Sequence, residues 1–186
     1  MTRLSNKEYR NREYLTHDEV KQLIDAAYCR GRNGQRDAFL ILMMFRHGLR
    51  AVEAANLKWS DVYFDRDEIW IERAKGSLSK MHLLQQDEVL ELKQMFERRK
   101  SEYIFESERS NKLTPDAIHR IVQSAGKTAG IDNCHPHQLR HACGYYLAQQ
   151  GIDIRTIQEY LGHKNIQCTV IYTAIDTRKF KEIKWG

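Results

Sequence analysis

His135-Pro136-His137-Gln138-Leu139-Arg140-His141-Ala142-Cys143-Gly144-Tyr145-Tyr146-Leu147 reads as one helix, opened by His135-Pro136-His137 and closed by Gly151. Leu139, Cys143, Tyr146 and Leu147 recur at the spacing of a single inward stripe. Residues three apart share a helix face, so His137 and Arg140 project together while Leu139 turns to the core. An imidazole beside a guanidinium can hold one phosphate oxygen and handle a proton next to it.

Downstream, Ile154, Ile157 and Leu161 form a shorter helix that Gly162 ends. The stretch Leu161-Gly162-His163-Lys164-Asn165-Ile166-Gln167-Cys168-Thr169-Val170-Ile171-Tyr172 follows, with Asn165 beginning the segment that carries Tyr172. Upstream, Thr114-Pro115 is a cap and first turn ahead of Ile118, Ile121, Val122 and Ala125, and Val89, Leu92 and Phe96 mark a helix from Asp87 onwards. Between Asp61 and Leu84 the pattern changes. Val62-Tyr63-Phe64, Ile69-Trp70-Ile71 and Met81-His82-Leu83-Leu84 are short β-favouring runs, which predict a small antiparallel sheet of about three strands.

The run at 38–45 is apolar on every face and predicts a central helix ending near Gly48, with another starting close to Leu49 and Arg50. Thr16-His17-Asp18-Glu19 is a capping-box pattern that opens the first helix, for which Gly31 marks a stop. The expectation is an α+β, mainly α-helical domain over 15–186, preceded by a basic arm over 1–14 that carries Arg3, Lys7, Arg10 and Arg12.

Thirty Lys plus Arg against 25 Asp plus Glu give the 186-residue chain a net charge of +5, which leans towards a polyanionic partner. Cys29, Cys134, Cys143 and Cys168 include no Cys-x-x-Cys pair, and reduced thiols in a cytoplasmic compartment fit a chain of this size. The longest apolar run is far below the roughly 20 residues that span a bilayer, and no signal-peptide core opens the chain.

Several further side chains carry potential chemistry. Arg50, directly after Gly48-Leu49, stands at the mouth of a core-anchored helix, placed for a bidentate grip on phosphate or for a surface pair with Glu53. Lys75 lies at the tip of the hairpin between Ile71 and Met81, where it can reach a minor groove or protonate a leaving oxygen, with Lys80 as the alternative across the turn. His137 and His141 are four apart, as in zinc hydrolases. Against that reading, Gln138 replaces the expected Glu base and Arg140 sets a positive charge beside the cation.

In order, His47-Gly48-Leu49-Arg50-Ala51-Val52-Glu53, Ala74-Lys75-Gly76, the stretch from His135 to His141, Leu161-Gly162-His163 and Ile171-Tyr172-Thr173 resemble the signature of the tyrosine recombinase (phage integrase) family. The likeness covers nearly everything from Leu15 to Ala174 and is nearest to the fimbrial phase-variation recombinases, which invert a promoter-bearing DNA segment. It implies Tyr172 as nucleophile, Arg50 and Arg140 as phosphate clamp and His163 as their hydrogen-bonding companion. Lys75 resembles the general acid for the 5′-hydroxyl, and His137 the proton acceptor or a phosphate ligand. Val52 stands where the family usually has Ser, and Leu83-Leu84 lacks the usual Pro. Most family members carry an additional DNA-clasping domain, so the resemblance implies here that DNA is held by the catalytic domain and the basic arm.

The implied chemistry is metal-free strand transfer. Cations fixed where charge grows on the non-bridging oxygens replace a Mg²⁺ site, and loss of one such donor typically costs about 3 kcal/mol. A phenol with an ordinary pKa of about 10 needs that field or a nearby base to attack, and the departing 5′-oxygen needs a proton. The 3′-phosphotyrosyl product conserves the ester's energy, so no cofactor is implied. The implied partners are double-stranded DNA with inverted-repeat sites, a homo-oligomer on DNA in a tetrameric synapse, and DNA-bending accessory proteins. A catalytically inactive DNA-binding regulator and a type IB-like topoisomerase are the competing readings.

Overall fold

The computed structural model describes residues 14–74, 76–109 and 111–173. A reciprocal capping box starts α1 (His17–Tyr28): Glu19 N donates to Thr16 Oγ1, and the Glu19 carboxylate accepts from Thr16 N at 2.8 Å. The apolar run lies in α2 (Gly34–Arg46), where Phe39, Leu40, Ile41, Met43, Met44 and Phe45 are all buried. Such a helix must be covered on several sides. It packs against α1 on one side and a later helix, α6, on another. At its end Gly48 adopts φ +57, and the short α3 (Ala51–Asn56) begins from Arg50 as its N-cap.

The three strands β1 (Val62–Tyr63), β2 (Glu68–Ile71) and β3 (Lys80–Leu83) form an antiparallel sheet in sequence order. Ile69 faces His82 and Ile71 faces Lys80 across the β2–β3 ladder. Strand alternation puts Ile69 and Ile71 inward, both fully buried, and leaves Trp70 and Leu83 exposed.

Helices then complete the domain: α4 (Gln86–Glu97), α5 (Pro115–Ala129), α6 (Pro136–Gln149), α7 (Ile154–Leu161) and α8 (Gln167–Val170). Thr114 caps α5 by accepting from Ala117 N, Pro115 occupies its first turn, and Gly130 at φ +72 stops it. Asp153 caps α7 through the N–H groups of Arg155 and Thr156, and Gly162 at φ +69 ends it. A single 3₁₀ turn, Ile171–Thr173, carries Tyr172 back onto α6. The expected mainly helical domain with a small three-stranded sheet is therefore the observed one. Among the described residues no helix is long and apolar enough to cross a membrane, and none of the four cysteines forms a disulfide. The basic arm and the residues after Thr173 lie outside the described part.

Candidate active site

The site is assembled where the loop after α2, the root of the β2–β3 hairpin, α6 and the segment after α7 meet. Arg140, from the second turn of α6, is only 1% exposed. Its guanidinium donates to the carbonyls of Gly48 at 2.5 Å and Leu161 at 2.6 Å, tying the loop before α3 to the end of α7. Burial, reinforced by repulsion from Arg73 and Arg50, draws its pKa down to about 10, which still leaves it cationic at neutral pH.

Arg50 belongs to the same basin through Glu53. The Glu53 carboxylate accepts from the Arg50 side chain at 2.5 Å and from Arg50 N at 3.0 Å, and its Oε2 lies 3.9 Å from Arg140 Nη1. Glu53 is buried, so the pair is not the surface ion pair that Arg50 and Glu53 offer by spacing alone. Burial opposes its ionisation, but Arg73 above all, with the Arg50 and Ala74 N–H groups and Arg140, outweighs that and lowers its pKa.

Arg73 is the cation that the sequence motifs did not single out. It is buried, and it donates to Gly48 O at 3.1 Å, His47 O at 2.8 Å, Tyr160 O at 2.8 Å and Glu53 Oε2 at 3.0 Å. Strand parity carries a signal for it, since Arg73 continues the inward series Ile69, Ile71. Behind the loop, His47 lies 3.2 Å from both His82 and Glu88, fastening the start of the arginine-bearing segment to β3 and α4. Burial, then His47 and Arg73, pushes the His82 pKa down to about 2, so this network contains a neutral imidazole.

His163 follows Gly162 directly and is buried, its Nδ1 2.9 Å from Thr169 Oγ1. Burial, followed by the fields of Arg140, Arg50 and Arg73, takes its pKa down to about 3, which leaves a neutral ring. That ring stacks against Tyr172 with centroids 6.4 Å apart. Tyr172 is itself buried on a bed made by Gly144, with Tyr145 edge-on at 5.1 Å. A β-carbon at position 144 would come within 2.5 Å of the Tyr172 ring, so the close approach depends on glycine. The phenol oxygen is 3.1 Å from His141 Nδ1. Burial raises its pKa, against the opposing field of Arg140.

His137 is exposed on the first turn of α6, its ring 4.3 Å from that of His141. Arg50, Arg140, His163 and Tyr172 are thus brought together, with His137 at the edge. Lys75 lies outside the described residues; the turn beside it is set by Gly76 at φ +65. Its alternative, Lys80, is engaged with Glu159 of α7 in an ion pair. His141 turns Nδ1 to a phenol, and among the described residues no three His, Cys, Asp or Glu side chains are grouped to hold a metal ion. Arg73 is the site residue that the motifs do not mark at all, while they offer Glu53 only as a surface partner of Arg50 and His141 only as a partner of His137 in the zinc reading.

Comparison with known proteins agrees with this geometry. The chain is 41% identical over 177 residues to the type 1 fimbriae regulatory protein FimE of Escherichia coli K12, covering 91% of this chain and 89% of that protein. It is 40% identical over 178 residues to FimB of the same strain, covering 92% and 88%. The crystal structure of XerA recombinase superimposes with a TM-score of 0.77 at 31% identity, covering 91% of this chain. This chain spans 62% of that recombinase. The model of the phage integrase family matches residues 13–179, and with relatives this similar across nearly their whole length, the chain belongs to the phage integrase family.

Proposed function

We propose that this chain is a site-specific DNA recombinase that cuts and rejoins strands through a phosphotyrosyl bond on Tyr172, and that its reaction inverts a promoter-bearing DNA segment controlling fimbrial expression. The reading is carried by one observation: two guanidiniums, Arg50 and Arg140, share the buried Glu53, while Arg140 also bonds the carbonyl of Leu161, two residues before the His163 ring that stacks on Tyr172. Similarity to FimE and FimB supports the fimbrial part, and similarity to XerA recombinase supports the chemistry.

In this reading Arg50, Arg140 and His163 hold the non-bridging oxygens of the scissile phosphate. Arg50 is fixed in advance by Glu53, Arg140 by protein carbonyls and His163 by the Thr169 hydroxyl, so little reorganisation accompanies charge development. His137, at the solvent edge, completes the phosphate contacts. Lys75 delivers the proton to the 5′-oxygen, with Lys80, which pairs with Glu159 at the surface, as the alternative. Duplex DNA with inverted-repeat sites, joined in a tetrameric synapse with bending proteins, is the substrate assembly. A nicked suicide duplex carrying the cognate site tests this: wild type forms a detergent-stable covalent adduct in the presence of a chelator, and Tyr172→Phe forms none. An adduct that persists in Tyr172→Phe, or an absolute requirement for added Mg²⁺, overturns the assignment.

A further inference from the structure

Among the described residues, a side chain in hydrogen-bond reach of the Tyr172 phenol is His141, whose Nδ1 stands 3.1 Å from the phenolic oxygen. His141 is half-buried on α6, one residue beyond Arg140 and one turn beyond His137. The groups around it are His137, Arg140 and His135 from α6 and its cap, and Tyr172 from the final 3₁₀ turn, behind which His163 stacks. Burial, then His137 and Arg140, holds its conjugate acid down to about 4. The ring is therefore neutral at pH 7, and with its proton on Nε2 it accepts the phenol's hydrogen bond at Nδ1.

We propose that His141 is the group that takes the phenolic proton as Tyr172 attacks, an assignment that rests on Tyr172 being the nucleophile. The Tyr172 oxygen forms its bond to phosphorus while the bond from phosphorus to the 5′-oxygen breaks. The phenol proton passes to His141 Nδ1, and the 5′-oxygen takes a proton from the lysine acid. On rejoining, a 5′-hydroxyl attacks phosphorus and gives its proton to the neutral lysine, while the His141 imidazolium returns its proton to the phenolic oxygen as the bond from that oxygen to phosphorus breaks, so no proton is lost between cleavage and ligation.

His141 is a weak base facing a phenol that burial keeps protonated. Burial is the larger cause, and a phosphate seated against Arg140 acts on the rest of this balance, because its negative charge offsets the part of the shift that comes from Arg140. The base therefore gains strength when a phosphate occupies the clamp, which protects the buried nucleophile from premature ionisation. Spacing supplies the geometry: His137 and His141 sit four apart on one helix face, so one is exposed at the phosphate edge while the other reaches inward to the phenol.

The experiment measures adduct formation on duplexes whose scissile 5′-oxygen is either retained or replaced by sulfur, a leaving group that needs no proton. His141→Ala is expected to slow both substrates by about a hundredfold or more, the usual range for a lost general base, with added imidazole restoring the rate. His141→Gln keeps an acceptor near the phenol without a site that can take its proton, and is expected to stay slow on both. Both variants are checked for cooperative melting and for unchanged DNA affinity. A His141→Gln enzyme within about threefold of wild type overturns the proton-accepting role, as does a folded, DNA-bound His141→Ala that imidazole does not rescue. A wild type that forms no adduct on either duplex overturns the recombinase reading and this assignment with it, whereas a reactive wild type beside an equally reactive His141→Gln overturns the assignment alone.

Discussion

Arg73 and Arg140 donate to one and the same acceptor, the carbonyl oxygen of Gly48, from 3.1 and 2.5 Å. One arginine comes from the root of the β2–β3 hairpin and the other from α6, so a single carbonyl fixes the spacing between two buried cations. Like charges this close repel, and Glu53, bonded to Arg73 and 3.9 Å from Arg140, offsets that repulsion. The clamp proposed to receive phosphate is thus one corner of a buried framework in which both terminal nitrogens of Arg73 are paired and its Nε is not.

The framework depends on the guanidinium fork of Arg73 rather than on its charge alone. Arg73→Lys retains the cation, but one ammonium cannot serve the carbonyls of His47, Gly48 and Tyr160 together with Glu53. Each buried acceptor left unpaired costs about 1–3 kcal/mol. The expected result is a lower melting temperature together with slower covalent adduct formation; a variant matching wild type in both would show that the guanidinium fork is dispensable.

Glu53 gives the same framework a pH dependence whose sign is fixed by its lowered pKa. A carboxylate whose folded pKa lies below its ordinary value of 4.5 contributes stability that is complete above that value and is lost as pH falls through the folded one. Glu53→Gln leaves Arg73 buried without its counter-charge, a change that costs about 3–5 kcal/mol for a broken buried pair. Denaturant titrations across pH should therefore show a constant deficit for Glu53→Gln at neutral pH that narrows in acid. A deficit independent of pH would exclude ionisation of Glu53 as its source.

Local rules made much of this molecule readable from its residues, whereas the framework around Gly48 is made of contacts that no local rule contains. Thr16 with Glu19, Thr114 with Pro115, and Gly162 each act within one helical turn, so their caps and stops follow from neighbouring residues. The motifs bearing Arg50, Arg140, His163 and Tyr172 carried the clustering of these side chains as well, because their order and spacing resemble those of a known family. Glu53 was visible only as the i+3 partner of Arg50, since its burial is created by Arg73 and Ala74 some twenty residues further on. Arg73 was masked by its charge, which argues for exposure, although its strand parity points inward. His141 was legible as a partner of His137 and not of Tyr172, because the final 3₁₀ turn that delivers the phenol makes its approach across sequence distance.

Gly144 offers a separation of nucleophile placement from everything else in the site. It lies in the middle of α6 with helical backbone, so alanine there gains about 0.5–1 kcal/mol of intrinsic helix preference. The added β-carbon would stand 2.5 Å from the Tyr172 ring, so the ring must leave its seat and with it the contact to His141. Arg50, Arg140 and Glu53 do not touch that position and keep their own bonds. Gly144→Ala is therefore expected to bind duplex DNA as wild type does and to lose adduct formation by tenfold or more, roughly what a misplaced reacting group costs. Measuring affinity by anisotropy beside adduct yield on a suicide duplex distinguishes this from general damage, because a variant that loses both in proportion would place the defect in folding rather than in the seat of Tyr172.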